Sequence, residues 1–231
     1  ADAVDSEIVC TATATDMRGE TGIGTASATV TNTAPIIDGV TISPDPAYND
    51  DTLICTATAT DADGDAPTMS YEWTGGATGP ELPLTSIIAA SGDSLTCTAT
   101  ATDADGGTAS DTATVTIGNR APTVDVSIDP AAPTRHDTLT CTASGITDPD
   151  DDATTISLAW TIDGAPAVAS SSETESILEE AADAGQTVVC TATVDDGKGG
   201  TATATATVVI TNTAPVVDSV TLSPENVYTN D

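Results

Sequence analysis

Two stretches of strict alternation around a cysteine constrain the fold of this chain more than any other feature. Residues 52–60 read TLICTATAT, and residues 94–102 read SLTCTATAT. A β-strand turns successive side chains to opposite faces, so Leu53, Cys55, Ala57 and Ala59 share one face while threonines dominate the other. Thr is β-branched and suits a solvated pleated surface. The alternation therefore predicts half-buried strands and an all-β fold.

The chain also repeats itself over about ninety residues, a length typical of one small domain. The pattern Asn-Xaa-Ala-Pro begins at Asn32, Asn119 and Asn212, and each copy is followed by a similar strand that ends in proline. These patterns are read as joints between domains. The predicted organisation is the C-terminal part of a domain at 1–31, complete domains at 32–118 and 119–211, and the N-terminal part of a further domain at 212–231.

Each complete repeat contains cysteine, tryptophan and cysteine in that order. The two sets are Cys55, Trp73 and Cys97, and Cys141, Trp160 and Cys190. This order resembles the immunoglobulin superfamily, in which a tryptophan packs against a disulfide that joins two sheets. The segment YEWTGG at 71–76 is also loosely similar to the polycystic-kidney-disease repeats of bacterial surface proteins. The resemblance implies tandem immunoglobulin-like β-sandwich domains with disulfides Cys55–Cys97 and Cys141–Cys190.

The implied disulfides bear on stability and on location. Inner faces rich in alanine bury little apolar area, so each bond, worth about 4 kcal/mol for a loop of this length, is expected to be essential. Structural disulfides persist in oxidising compartments, which predicts a secreted or cell-surface protein. The fifth cysteine, Cys10, is expected to pair with a residue outside the chain; the alternative is a free buried thiol.

Charge excludes several classes of partner. Four Lys and Arg stand against 36 Asp and Glu, a formal net charge of −32. Nucleic acids and anionic membrane surfaces would be repelled, whereas cations would be attracted. The sequence has no run of eighteen apolar residues, so no membrane insertion is predicted for this segment.

Acidic segments follow the cysteine-bearing strands of both complete repeats. In an immunoglobulin-like sandwich the B–C and F–G loops emerge at the same end, so these carboxylates are expected to converge beside the joint. Alternating Asp residues with a Gly in a tight turn supply the oxygen ligands that Ca²⁺ prefers. The candidate calcium ligands are Asp61, Asp63, Asp65, Asp103, Asp105, Asp148, Asp150, Asp152 and Asp195.

Ordinary turn chemistry is the alternative explanation of these loops. Asp and Gly favour turns whether or not a metal is bound, and the glutamate of an EF-hand loop is missing. Lys198 would oppose a cation in the second repeat, and in the first fragment the segment DMRGE at 16–20 replaces the acidic pattern.

Catalysis has little support in the sequence. His136 is the single histidine, and paired carboxylates act as acid and base only when a pocket desolvates one of them. We therefore expect a non-enzymatic protein. One hypothesis is a structural repeat of an extracellular filament, stalk or adhesin, whose partners are copies of itself or neighbouring domains. The other is a binding module for a surface glycan or protein, although recognition surfaces usually carry aromatic or Arg anchors that are scarce here.

Overall fold

A computed structural model describes residues 4–64, 66–87, 89–179, 181–221 and 223. The chain divides into two compact units, Ala1–Asn119 and Arg120–Asp231. Regular structure in the described residues is β-strand apart from one turn of 3₁₀ helix. Within the same residues there is no helix with the length and apolar character needed to span a bilayer.

The first unit contains a hairpin followed by a sandwich. Its strands are β1 (Glu7–Thr15), β2 (Thr21–Thr29), β3 (Ile36–Ser43), β4 (Thr52–Thr60), β5 (Thr68–Trp73), β6 (Glu81–Pro83), β7 (Ser94–Thr102) and β8 (Thr108–Thr116), and the 3₁₀ helix is Leu84–Ser86. Strands β3, β4 and β6 form one antiparallel sheet, and β5, β7 and β8 form the other. We call this pair of sheets the first sandwich.

The hairpin β1–β2 is exposed along its whole length. Its two strands pair antiparallel with Cys10 opposite Ala26, and every residue of both strands is exposed. Cys10 is therefore an exposed free cysteine and not a buried thiol. Its pairing with a residue outside the chain stays a prediction.

A disulfide and a tryptophan form the centre of the first sandwich. Cys55 on β4 and Cys97 on β7 join the two sheets with their Cα atoms 6.4 Å apart. Trp73 lies opposite Cys97 in the register of β5 and β7 and is 2 % exposed. Leu53 and Cys55 are buried as the alternation predicts, and Ala57 and Ala59 on the same face are half-buried. Leucines surround the disulfide and the indole in this core, so it is richer in large aliphatic side chains than the alternating alanines of the sequence suggest.

The second unit contains one larger sandwich. Its strands are β9 (Thr123–Asp129), β10 (Thr140–Thr147), β11 (Thr155–Ile162), β12 (Ala165–Ala167), β13 (Ala169–Ser171), β14 (Glu175–Leu178), β15 (Thr187–Asp195) and β16 (Thr201–Val209). The sheets have the orders β13-β14-β10-β9 and β12-β11-β15-β16. Cys141 on β10 and Cys190 on β15 join them, and Trp160 lies opposite Cys190 and is buried.

Both sandwiches therefore have the immunoglobulin-like arrangement that the cysteine and tryptophan spacing implies, each with a disulfide between its sheets. The predicted all-β fold class is confirmed. The domain bounds at 32–118 and 119–211, and the narrower similarity to polycystic-kidney-disease repeats, stay predictions.

Candidate cation site in the acidic loops

Four acidic loops between strands carry most of the candidate calcium ligands. In the first sandwich these are the B–C loop, residues 61–67 between β4 and β5, and the F–G loop, residues 103–107 between β7 and β8. In the second sandwich they are residues 148–154 between β10 and β11, and residues 196–200 between β15 and β16.

The first aspartate of each loop uses one carboxylate oxygen to fold the loop itself. Its Oδ1 accepts hydrogen bonds from backbone N–H groups two and four residues later. The pairs are Asp103 with Asp105 (3.0 Å) and Gly107 (2.7 Å), Asp148 with Asp150 (2.8 Å) and Asp152 (3.2 Å), and Asp196 with Lys198 (2.7 Å) and Gly200 (2.9 Å). Asp61 accepts the first of these two bonds, from the N–H of Asp63 (2.8 Å). One oxygen of each of these carboxylates is therefore used within its own loop.

The joint segment of the first sandwich, residues 32–35, makes contact with both of its acidic loops. Asn32 Nδ2 donates a hydrogen bond to Asp103 Oδ2 over 2.9 Å, and the backbone N–H of Thr33 donates to Asp63 Oδ2 over 2.6 Å. Gly107 allows this approach, because a Cβ there would lie 2.3 Å from Asp103 Oδ2 and 2.7 Å from Asn32 Nδ2. The structure thus brings the two loops to one end of the sandwich, around the joint.

Asp103 accepts hydrogen bonds on both of its carboxylate oxygens. It is 6 % exposed, yet its pKa lies below the ordinary Asp value. The Asn32 side-chain hydrogen bond is the main cause, and the backbone N–H groups of the loop add to it against the opposing effect of burial. Asp103 is therefore a carboxylate, not a carboxylic acid, at neutral pH.

Four side-chain oxygens in these loops and in the two joints are buried without a hydrogen-bond donor among the described residues. They are Asn32 Oδ1 and Asp61 Oδ2 at the first sandwich, and Asn119 Oδ1 and Asp148 Oδ2 at the matching positions of the second. A buried acceptor that lacks a donor costs on the order of 1–3 kcal/mol. Amide and carboxylate oxygens are also the atoms that bind Ca²⁺ in proteins. The residues present therefore fit a calcium ion, which would satisfy acceptors that the protein itself leaves unsatisfied.

The B–C loop of the second sandwich gathers three carboxylates. One oxygen from each of Asp148, Asp150 and Asp152 lies within 4.8 Å of the others. The Asp150 side chain has no exposed surface and forms an ion pair with Arg120, whose Nη2 lies 2.8 Å from Asp150 Oδ1. Like charges this close repel one another, and the guanidinium of Arg120 offsets part of that repulsion.

The other candidate ligands lie in less enclosed places. Asp63 and Asp105 are exposed, and Asp65 is outside the described residues. Asp195 is the exposed last residue of β15, and its Oδ1 accepts a hydrogen bond from the N–H of Gly197 over 2.7 Å.

Sequence reasoning missed Asp196, the neighbour of Asp195. Asp196 is 3 % exposed and repeats the loop-folding hydrogen bonds of Asp103. A signal for it existed, because Asp196 follows Cys190 by the same number of residues as Asp103 follows Cys97. Strand alternation then places Asp195 on the outer face.

Comparison with known proteins yields no family model and no curated protein that matches the chain. Solved structures similar to it include a bacterial ice-binding adhesin retained at the host cell surface (19 % identity, 90 % of this chain and 74 % of that chain, TM-score 0.36). The fibronectin(III)-like modules of Clostridium thermocellum CbhA are also similar (14 % identity, 75 % of this chain and 94 % of that chain, TM-score 0.32). So is Drosophila N-cadherin EC1-4 (15 % identity, 91 % of this chain and 59 % of that chain, TM-score 0.35).

Proposed function

We propose that this chain is a structural segment of an extracellular filament, stalk or adhesin, in which immunoglobulin-like domains follow one another at the Asn-Xaa-Ala-Pro joints. The complete domains of this array would be residues 32–118 and 119–211, with parts of further domains at 1–31 and 212–231. Its immediate partners are neighbouring domains or copies of itself, and its role is mechanical or adhesive and not catalytic.

The observation that carries this proposal is the attachment of each joint to the loops of the sandwich that follows it. Asn32 binds Asp103 and Thr33 binds Asp63 in the first sandwich, and Arg120 binds Asp150 in the second. A chain that enters each domain through such contacts is held where a pulling force would act. The disulfide between the sheets then resists separation of the two layers within each domain.

Calcium completes the proposed joint. The ligands would include Asn32 Oδ1, Asp61 Oδ2 and Asp148 Oδ2, which are buried and lack a hydrogen-bond donor in the described structure. A divalent cation there would offset part of the −32 charge and stiffen the entry to each domain. This refines the predicted ligand set by adding Asn32 to the aspartates predicted from the sequence.

Electron microscopy of native material tests the structural role. Filaments or long thin stalks that are labelled by antibodies against this chain are the expected result. Dispersed globular particles that bind a defined glycan or protein would contradict it and would favour the binding-module hypothesis. We give that hypothesis second place because Trp73 and Trp160, the two tryptophans, are buried in the cores and cannot anchor a ligand.

Thermal unfolding tests the calcium role. Millimolar Ca²⁺ should raise the midpoint relative to EGTA, and Asp61→Asn should remove much of that increase. Asp111→Asn is the matched control, because Asp111 is an exposed residue of β8 in the same sandwich. A midpoint that does not differ between Ca²⁺ and EGTA would contradict calcium binding.

A further inference from the structure

The joints of the two sandwiches differ in one basic side chain. Thr33 and Arg120 occupy the same place, directly after the asparagine of a joint. The backbone N–H of Thr33 donates to Asp63 Oδ2, and that of Arg120 donates to Asp150 Oδ2. The backbone contact is therefore the same in both sandwiches, and the difference lies in what the side chain brings.

The Arg120 side chain closes around Asp150. Its Nε donates to Asp150 Oδ1 over 2.9 Å, and its Nη2 lies 2.8 Å from the same oxygen. Nη2 also donates to the carbonyl oxygen of Pro149 over 2.9 Å. A guanidinium keeps its charge at any pH that a protein meets, so the cluster of Asp148, Asp150 and Asp152 contains a permanent positive charge.

The first sandwich has no such charge. Residues 32–118 include no Lys, Arg or His, although both of its acidic loops lie against the joint. Positive charge for Asp61, Asp63 and Asp103 must therefore come from outside this part of the chain. In the second sandwich Lys198, an exposed residue of the F–G loop, adds to the charge of Arg120.

We propose that Arg120 is a built-in substitute for a divalent cation, so that calcium stabilises the first sandwich strongly and the second sandwich little. This inference rests on the calcium role proposed above and specifies which joint uses it. The array would then contain two kinds of joint, one that draws its positive charge from external calcium and one that carries a positive charge of its own. The residue after the joint asparagine decides between them.

Exchange of the two residues tests this inference, with each sandwich read separately. The chain has one tryptophan per sandwich, so 5-fluorotryptophan labelling gives one ¹⁹F signal from Trp73 and one from Trp160 without any mutation. Thermal unfolding is followed through both signals in EGTA and in millimolar Ca²⁺. Arg120→Thr and Thr33→Arg are the exchange variants. Arg135→Thr is the control, because Arg135 is a 62 % exposed side chain of the second sandwich 3.8 Å from Asp183.

In the wild-type protein, Ca²⁺ should raise the Trp73 midpoint by about 5 °C or more and leave the Trp160 midpoint nearly unchanged. Arg120→Thr should lower the Trp160 midpoint in EGTA, and Ca²⁺ should restore most of the loss. Thr33→Arg should reduce the calcium response of Trp73, and Arg135→Thr should behave as the wild type.

The two proposals fail in different ways. A wild-type Trp73 midpoint that ignores Ca²⁺ overturns the calcium role, and the substitution of a cation by Arg120 with it. If Trp73 responds but the Arg120→Thr loss at Trp160 is not restored by Ca²⁺, calcium binding stands and the role of Arg120 as a cation substitute is overturned. Equal responses of both wild-type signals to Ca²⁺ also overturn the inference about Arg120.

Discussion

Asn32 and Asp103 are 71 positions apart in the sequence, yet Asn32 Nδ2 donates a hydrogen bond to Asp103 Oδ2 over 2.9 Å. The bond joins the segment that enters the first sandwich to the loop between its last two strands. Because the Asp103 Oδ1 atom already accepts the N–H groups of Asp105 and Gly107, the carboxylate as a whole fixes both the loop and the entry segment.

This arrangement predicts an acid-sensitive first sandwich. The folded-state pKa of Asp103 lies below the ordinary value, mainly because of the Asn32 hydrogen bond. Its contribution to stability is therefore complete above the ordinary Asp pKa of about 3.9 and is lost as the pH falls through the lower folded value. Unfolding midpoints of the Trp73 signal in urea between about pH 5 and pH 2 measure this loss. Asp103→Asn should make the profile flatter, Asp111→Asn should not, and a profile unchanged by Asp103→Asn would refute the assignment.

A methyl group at residue 107 should separate the joint from the F–G loop. In Gly107→Ala the new Cβ would lie within 3 Å of Asp103 Oδ2 and Asn32 Nδ2, which a real Cβ does not tolerate. We expect a destabilisation of about 1–3 kcal/mol in urea unfolding, and a smaller calcium response. Gly39→Ala is the control, since a Cβ there has no neighbour within 4 Å. Equal effects of the two substitutions would show that the close contact at Gly107 has no energetic importance.

The second sandwich should be sensitive to the loss of one hydroxyl group. Trp160 Nε1 donates to Ser176 Oγ over 3.0 Å, and Ser176 is 1 % exposed. Ser176→Ala leaves the buried indole N–H without this acceptor, at an expected cost of about 1–3 kcal/mol. The Trp160 signal should report the change and the Trp73 signal should not, because Trp73 donates to the backbone oxygen of Gly79. Ser157→Ala, at an exposed position of β11, is the control.

Reduction of the disulfides should destabilise both sandwiches. The bonds close segments with sequence separations of 42 and 49 residues, which corresponds to about 4 kcal/mol each in the chain-entropy model. Urea unfolding with and without a reductant measures the effect. Replacing Cys55 and Cys97 together by Ala should destabilise the first sandwich alone. Unchanged midpoints after verified reduction would mean that the hydrophobic cores suffice without the bonds.

Much of the fold could be predicted because local pattern and long-range pairing agree. The alternation around Cys55 fixes which face of β4 is buried. The order Cys55, Trp73, Cys97 places the first cysteine in one sheet, and the tryptophan and the second cysteine on neighbouring strands of the other. Where such a pattern is regular, the period of two leaves little freedom in which side chains face inward.

The site was harder to predict because it depends on single-residue registers. The strand pairing of β10 shifts between Ser144 and Thr147, where Gly145 has a φ of 61° and a Cβ would approach Asp125 Oδ2 to 2.7 Å. Because of one extra residue there, Asp148 lies one position further from Cys141 than Asp61 lies from Cys55. A single residue matters in the same way where the sequence predicts Asp195, because neighbouring residues on a strand point to opposite faces and Asp196 is the one that faces inward.

The importance of Asn32 and Arg120 could not be read from the sequence pattern alone. The sequence marks Asn32 as part of the joint, but its hydrogen bond to Asp103 depends on how the last loop of the sandwich returns to the entry segment. Arg120 differs from Thr33 by one position in an otherwise repeated motif. Only the contact with Asp150 shows that this difference changes the charge of the loop cluster.

The closed contact between Arg120 and Asp150 also bears on how such a chain survives digestion. Trypsin-like proteases must insert the side chain of Lys or Arg into a pocket that carries a carboxylate. At Arg120 the protein's own carboxylate already holds that side chain, so the peptide bond that leads into the second sandwich is masked while the loop is folded. Residues 32–118 offer these enzymes no Lys or Arg at all. The first sandwich therefore offers trypsin-like proteases no cleavage site, and the contact with Asp150 covers the site at the entry to the second.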